Sequence, residues 1–231
     1  MQNKTKKTRK LTLLSSLIII AAVGQIPLFS VTAQGRPQAT MLSVPYASQV
    51  NAGHWNDPRQ ADGCEEASMI MAMAWVHGGT VPADEVERNV INISEYERVV
   101  LGYYQDTSAQ DTARIMREFF RYEDIAVREN IGIEDIKQEL AANRVVILPI
   151  NTRLTGLAMY RGGPYRHTIV VVGYDDKNDE LIIHDPLYKN IQNFWIPASA
   201  IGKALSNYRS GVHLPGNTGT ALVSVGKTAT Y

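Results

Sequence analysis

The 231-residue chain contains one cysteine, Cys64, and five histidines, the side chains that most readily supply a nucleophile and a base near neutral pH. Cys64 is followed by Glu65 and Glu66, then by the apolar run Met69-Ile70-Met71-Ala72-Met73-Ala74-Trp75-Val76, which stops at Gly78-Gly79. That run predicts a helix apolar on every side, and therefore buried, with Cys64 at about its second position. The positive end of the helix macrodipole favours a thiolate there. Glu65 and Glu66 oppose it, because neighbouring negative charge raises a thiol pKa. Most free cysteines are simply small buried hydrophobes, so a nucleophilic Cys64 needs a partner, above all a histidine.

The second half of the chain offers one. Thr168 to Tyr174 and Glu180 to His184 are short, β-branched and separated by Asp175-Asp176-Lys177-Asn178-Asp179, which predicts a hairpin. If the turn centres near Asp176, residues whose numbers sum to about 352 face each other, and His167 lies across from Asp185. A carboxylate there can take the second imidazole N–H and fix its tautomer. His184 would point to the opposite face, and a one-residue slip would exchange the two. A thiol at a helix start with a His/Asp pair at a hairpin end, in the order Cys, His, Asp, is a papain-like arrangement of Cys64, His167 and Asp185. A metal site built from His54, His184 and Asp185 is disfavoured, since these ligands lack helical spacing.

These groups must be placed by the surrounding elements. Leu42 to Tyr46 reads as a brief strand, confined by Pro45 to an edge or a start. Asn51 to Gly63 is rich in Asn, Asp, Gly and Pro and reads as a loop, closing in Asp62 and Glu65 as an aspartate version of the capping box. Pro82 to Val90, Ser108 to Phe120 and Ile133 to Ala141 carry the amphipathic helical period. Val145 to Ile150 reads as a third strand. Thr155 to Arg166, with Tyr160, Gly162-Gly163 and Tyr165, leads into His167 as either a mobile rim or a surface connection. Helices first and an antiparallel sheet second make an α+β domain, with the buried central helix packed on the sheet. The expected divisions are a leader at 1–33, a linker at 34–41, the domain at 42–213 and a C-terminal strand or tail at 214–231.

Composition narrows the function classes. The 45% hydrophobic content fits a folded domain, and one cysteine excludes an internal disulfide framework. Basic and acidic side chains balance at 23 each, yet all five charges before residue 34 are positive: Lys4, Lys6, Lys7, Arg9 and Lys10. Without them 18 basic residues face 23 acidic ones. No basic patch remains to bind phosphates, which argues against a nucleic-acid partner. The basic start, the apolar Leu11 to Ala22 and the small residues at Val31-Thr32-Ala33 have the layout of a secretory signal peptide. The alternative is an uncleaved anchor over Leu11 to Val31, which would be the chain's one membrane contact. The expected location is outside the cytoplasm, extracellular or at the cell envelope.

Four blocks carry a resemblance: Val44-Pro45-Tyr46-Ala47-Ser48-Gln49, Asp62-Gly63-Cys64-Glu65-Glu66-Ala67-Ser68, His167 to Asp175, and His184-Asp185-Pro186. Over Leu42 to about Ser206 the chain resembles the bacteriocin-processing, double-glycine leader peptidase-like domains of the papain-like cysteine peptidase superfamily. The resemblance implies a papain-like fold, a peptide or protein substrate and no cofactor. It makes Cys64 the nucleophile, His167 the base and Asp185 its orienter, with Gln49 as oxyanion donor. Gln49 lies 15 residues before Cys64, farther than is usual in such domains, and Gln60 is the rival donor. The expected reaction is amide hydrolysis through a thioester. Alternatives with the same residue types are a peptidoglycan amidase or transglutaminase-like enzyme, and an inactive envelope domain that binds peptides.

Overall fold

The computed structural model describes residues 35–50, 53–188, 191–211 and 218–227, so the leader at 1–33 and residues 214–217 and 228–231 lie outside it. Seven strands form one antiparallel sheet: β1 (Ala39–Met41), β2 (Ile125–Glu129), β3 (Val145–Ile150), β4 (His167–Asp175), β5 (Glu180–His184), β6 (Phe194–Pro197) and β7 (Ala221–Val225). Their order is β2-β7-β3-β4-β5-β6, with β1 paired to the turn end of β4. The helices are α1 (Pro58–Ala61), α2 (Cys64–His77), α3 (Ala83–Val100), α4 (Ala109–Phe120), α5 (Ile133–Ala141) and α6 (Ala198–Ala204).

The core follows from composition. All six residues of β3 and the first eight of β4 are buried, as in strands covered on both faces, and α2 and α5 pack against both strands. In α2 every residue from Cys64 to Trp75 is buried, which is why its sequence has no polar stripe. Gly78, at φ 67°, closes it in the left-handed conformation that glycine adopts without cost.

Several expectations are corrected. The N-cap of α2 is Gly63 and Cys64 is its first residue; Asp62 instead ends α1, inside the stretch read as loop, and accepts the Gln105 side-chain amide. No capping box forms, and Gly63 has a steric reason: a Cβ there would meet Val90 Cγ1 at 2.8 Å and the Arg59 carbonyl at 2.9 Å. The expected strand at Leu42 to Tyr46 lies one step earlier, at Ala39–Met41, within the presumed linker. That segment is docked: buried Arg36 pairs with Asp176 at 2.5 Å and Glu134 at 2.7 Å. The first amphipathic helix runs on to Val100, and β2, β6 and α6 were not foreseen. Within 214–231 the chain supplies β7, an internal strand between β2 and β3.

The hairpin register also differs, and it decides the site. Next to the turn Asp175 pairs with Glu180, Tyr174 with Leu181 and Gly173 with Ile182; past a bulge at Val172, Val171 pairs with Ile183 and Val170 with His184. The 352 register is thus displaced by three residues at the turn and by two beyond it. An even displacement keeps His167 on the face of the odd-numbered β5 positions; without the bulge, His184 would share that face. The bulge is built in: the Val172 carbonyl accepts the Leu42 N–H at 2.7 Å. A Cβ on Gly173 would come within 2.4 Å of the Thr40 carbonyl, so β1 fits there only against glycine.

Candidate active site

The start of α2 and the open end of the β4–β5 hairpin meet at Cys64 and Thr168. Cys64 is 9% exposed; its thiol donates to Glu65 Oε2 at 2.9 Å. Burial pushes the thiol pKa well up, and the charges of Glu65 and Glu66 push the same way, while the Thr168 N–H directed at the sulfur lowers it. Thr168 follows His167, the first residue of β4, so the sulfur lies beside the histidine strand.

His167 is buried, and its Nε2 lies 2.8 Å from Asp185 Oδ1. Nδ1 is the ring nitrogen this pairing leaves for the thiol. Asp185 is fully buried and accepts three donors: His167 and the Leu187 N–H (2.9 Å) at Oδ1, and the Tyr160 hydroxyl (2.5 Å) at Oδ2. Burial alone would raise its pKa, but the His167 charge and these hydrogen bonds outweigh that and hold it below the ordinary carboxylate range. The Tyr160 ring also meets the His167 ring edge-on, with centroids 6.2 Å apart. The hydroxyl of buried Tyr208 donates to the His167 carbonyl at 3.2 Å.

The Val44 to Gln49 motif braces the Asp185 turn. The Tyr46 hydroxyl donates to the carbonyls of Tyr188 (2.8 Å) and Asp185 (3.2 Å), and the Ser48 hydroxyl and Gln49 N–H both reach the Pro186 carbonyl. The Gln49 side-chain amide donates to the carbonyls of Ala61 (2.8 Å) and Gln60 (3.2 Å), at the approach to Cys64. The Gln60 amide turns to the Glu87 carbonyl on α3.

The structure pairs His167 with Asp185, packs α2, which starts at Cys64, against β4, which starts at His167, and keeps His184 apart. His184 Nδ1 accepts the Asn193 N–H at 3.0 Å, so Nε2 carries the proton donated to the Val44 carbonyl at 2.9 Å. Both ring nitrogens are used, while exposed His54 pairs with Glu87, so the three metal candidates do not converge. No cluster of three potential metal ligands occurs among the described residues, nor any helix long and apolar enough to cross a membrane.

Sequence reasoning missed Tyr160 as part of the site. It lies in the Thr155 to Arg166 stretch, a largely exposed surface connection in which Thr155 and Tyr160 are buried; the short 3-10 turns Thr152–Leu154, just before it, and Ala158–Tyr160, within it, carry no periodicity. It also walls a cavity of about 310 Å³ with Arg153, Leu157 and Arg161. Also missed was a buried acidic layer behind the thiol. Glu65 is pushed up to about 8 by burial and by the charges of Glu66 and Asp106, and Glu66 to about 7 by burial. Glu66 accepts the Ser94 hydroxyl at 2.8 Å, and Glu97 on α3 is pushed well up by burial and by the charges of Glu66 and Glu65.

A buried helix carrying a cysteine at its start, packed on an antiparallel sheet that carries a His/Asp pair, defines a papain-like cysteine peptidase fold. Residues 41–210 match the Peptidase C39-like family, and the chain belongs to that family. Among solved structures it is similar to a C39-like peptidase from Bacillus anthracis, with 15% identity and a TM-score of 0.55 over 83% of this chain and 99% of that one. A cysteine protease from Xylella fastidiosa, xylellain, aligns at 13% identity with a TM-score of 0.36, covering 84% and 88% of the two chains. Comparison with curated proteins returned no match.

Proposed function

We propose that this protein is an exported cysteine peptidase that hydrolyses peptide bonds through Cys64, His167 and Asp185. The observation that carries the reading is the buried His167–Asp185 pair at 2.8 Å, with His167 at the start of the strand against which the Cys64 helix packs. In this mechanism His167 Nδ1 takes the thiol proton and Asp185 stabilises the imidazolium. The thiolate adds to the substrate carbonyl, and His167 returns the proton to the leaving amine. Water, deprotonated by His167, then releases the acyl group from sulfur.

The oxyanion meets the first-turn N–H groups of α2, which have no intrahelical partner. Gln49 is the side-chain donor in preference to Gln60, because its amide already lies at the approach to Cys64 and one N–H can exchange the Ala61 carbonyl for the substrate oxygen. Export rests on the basic, apolar and small-residue layout of residues 1–33.

The Cys64–Glu65 contact favours a second reading, a peptide-binding domain without turnover, because a thiol held by a carboxylate is not a nucleophile. The rate of iodoacetamide alkylation against pH, for the full chain and for His167→Ala, separates the two. The peptidase reading requires wild-type Cys64 to react rapidly below its unperturbed pKa of about 8.5, and His167→Ala to lose that reactivity. Two superimposable curves would establish the binding domain instead.

A further inference from the structure

We propose that Glu65 is a catalytic residue in its own right: held protonated against the nucleophile, it donates its carboxyl proton as a hydrogen bond to the Cys64 thiolate, and its ionisation switches the nucleophile off. This rests on the peptidase reading above and adds to it a group that touches the reacting sulfur.

The geometry carries the proposal. Glu65 Oε2 is 2.9 Å from Cys64 Sγ, the carboxyl is 2% exposed, and Oε1 is buried without a hydrogen-bond partner. A carboxylate in that position has no cation to answer it. Besides Cys64, the ionisable group beside it on its own helix is acidic, Glu66, and Asp62 just before α2 acts in turn on Glu66. Within electrostatic reach of it from other elements are Glu97 on α3, Asp106 in the segment after α3 and Tyr208 in the segment after α6, while Asp111 at the start of α4 acts on Glu97. Among the described residues no Lys, Arg or His forms an ion pair with Glu65: Arg166 pairs with Asp106 at 3.7 Å and stacks on the Tyr208 ring, and the His167 imidazole pairs with Asp185. Burial among like charges keeps a carboxylic acid neutral, and a neutral acid can act as a donor. In agreement, Glu65 is pushed up to about 8.

The proton count is simple. In the resting site the thiol donates to Oε2. When His167 Nδ1 removes the thiol proton, the sulfur becomes the acceptor, and the Glu65 O–H turns to it without transferring its proton. Glu65 therefore stays neutral through the cycle, and the one proton that moves is the one shared between Cys64 and His167. Above its pKa Glu65 becomes a carboxylate against the sulfur; the thiolate is repelled and the proton returns from His167.

The test is the pH profile of Cys64 alkylation by iodoacetamide in the full chain, with Glu65→Gln and Glu65→Leu. Glutamine has nearly the same shape, keeps an N–H donor and cannot ionise. The wild type should lose reactivity as pH rises through about 8. Glu65→Gln should match the wild type within about threefold at pH 6.5 and exceed it about tenfold once Glu65 has ionised, one pKa unit being one decade. Glu65→Leu, which lacks a donor, should be slow at both. A Glu65→Gln profile that falls with the wild-type midpoint overturns the proposal, as does a folded Glu65→Leu that reacts like the wild type at pH 6.5. Should wild type and His167→Ala coincide, the triad itself is absent, and the peptidase reading fails before the role of Glu65 arises.

Discussion

The two sides of this site are built on opposite principles. On the hairpin side, buried Asp185 is surrounded by donors: His167, the Tyr160 hydroxyl and the Leu187 N–H. On the helix side, Glu65, Glu66 and Glu97 are just as buried but have no cation beside them, so burial, reinforced for Glu65 and Glu97 by neighbouring acids, pushes them toward the neutral form. Burial penalises the charge in both cases, and the difference is whether compensating hydrogen bonds and a cation accompany it. One fold thus holds the Asp185 carboxyl below the ordinary carboxylate range and pushes a second set of carboxyls up toward the neutral form near the sulfur.

The largest expected effect comes from removing the link between the sides. His167→Ala takes away the proton acceptor for Cys64, and peptide hydrolysis should fall by about four orders of magnitude or more. A protease assay with a casein-type substrate reads this directly. Residual activity within tenfold would mean that the hairpin side does no chemistry.

Next is Asp185→Asn, which keeps the shape but loses the charge that fixes the imidazole. Loss of about two to four orders of magnitude in kcat/KM is expected, with the alkylation rate of Cys64 at neutral pH reduced in parallel. If hydrolysis falls while alkylation is unchanged, Asp185 orients the substrate and not His167.

How far this contrast was legible in the sequence depends on which interaction each residue makes. Cys64, His167 and Asp185 were singled out from residue type and strand parity, and the His167–Asp185 contact is present; β3, β5, α4 and α5 were read from local periodicity, because those signals lie within a few residues. The pairing of His167 with Asp185 survived an incorrect register because Val172 is bulged; a glycine inside a strand, Gly173, was the available sign of it. The exposed edge strand β6 and the place of β7 between β2 and β3 depend on long-range pairing that no window reveals. Tyr160 sits in an aperiodic connection, and only the fold brings its hydroxyl to Asp185. The acidic layer was half visible: Glu65 and Glu66 were marked as opposing the thiolate, but Glu97 is 31 residues beyond Glu66, and its approach is a property of the packing of α3 on α2.

Tyr160→Phe sharpens the hairpin side more gently. It removes one donor from a charged acceptor and leaves the ring in place, so the expected cost is about 2 kcal/mol of stability. Asp185 then moves back toward the ordinary carboxylate range, and the acid limb of the activity profile should shift to higher pH. A Tyr160→Phe protein with an unchanged acid limb and unchanged melting temperature would mean that the hydroxyl does not support Asp185.

The smallest effect tests the helix side through stability. Glu66 is pushed up from 4.5 to about 7, so between those values the folded protein binds more protons there than the unfolded chain does. Stability therefore falls as pH rises through that window, the reverse of Asp185, whose lowered value protects the fold until acid protonates it. Glu66→Gln removes the group that must ionise and leaves an oxygen to accept the Ser94 hydroxyl. At pH 8 the variant should be more stable than the wild type by about 1 kcal/mol, a rise of roughly 2–4 °C in Tm for a chain of this length. At pH 4, where Glu66 is neutral in the fold and mostly protonated in the unfolded chain, the two should melt together. An equal shift at both pH values would show that the substitution changes packing alone, and that burial does not hold Glu66 near neutrality.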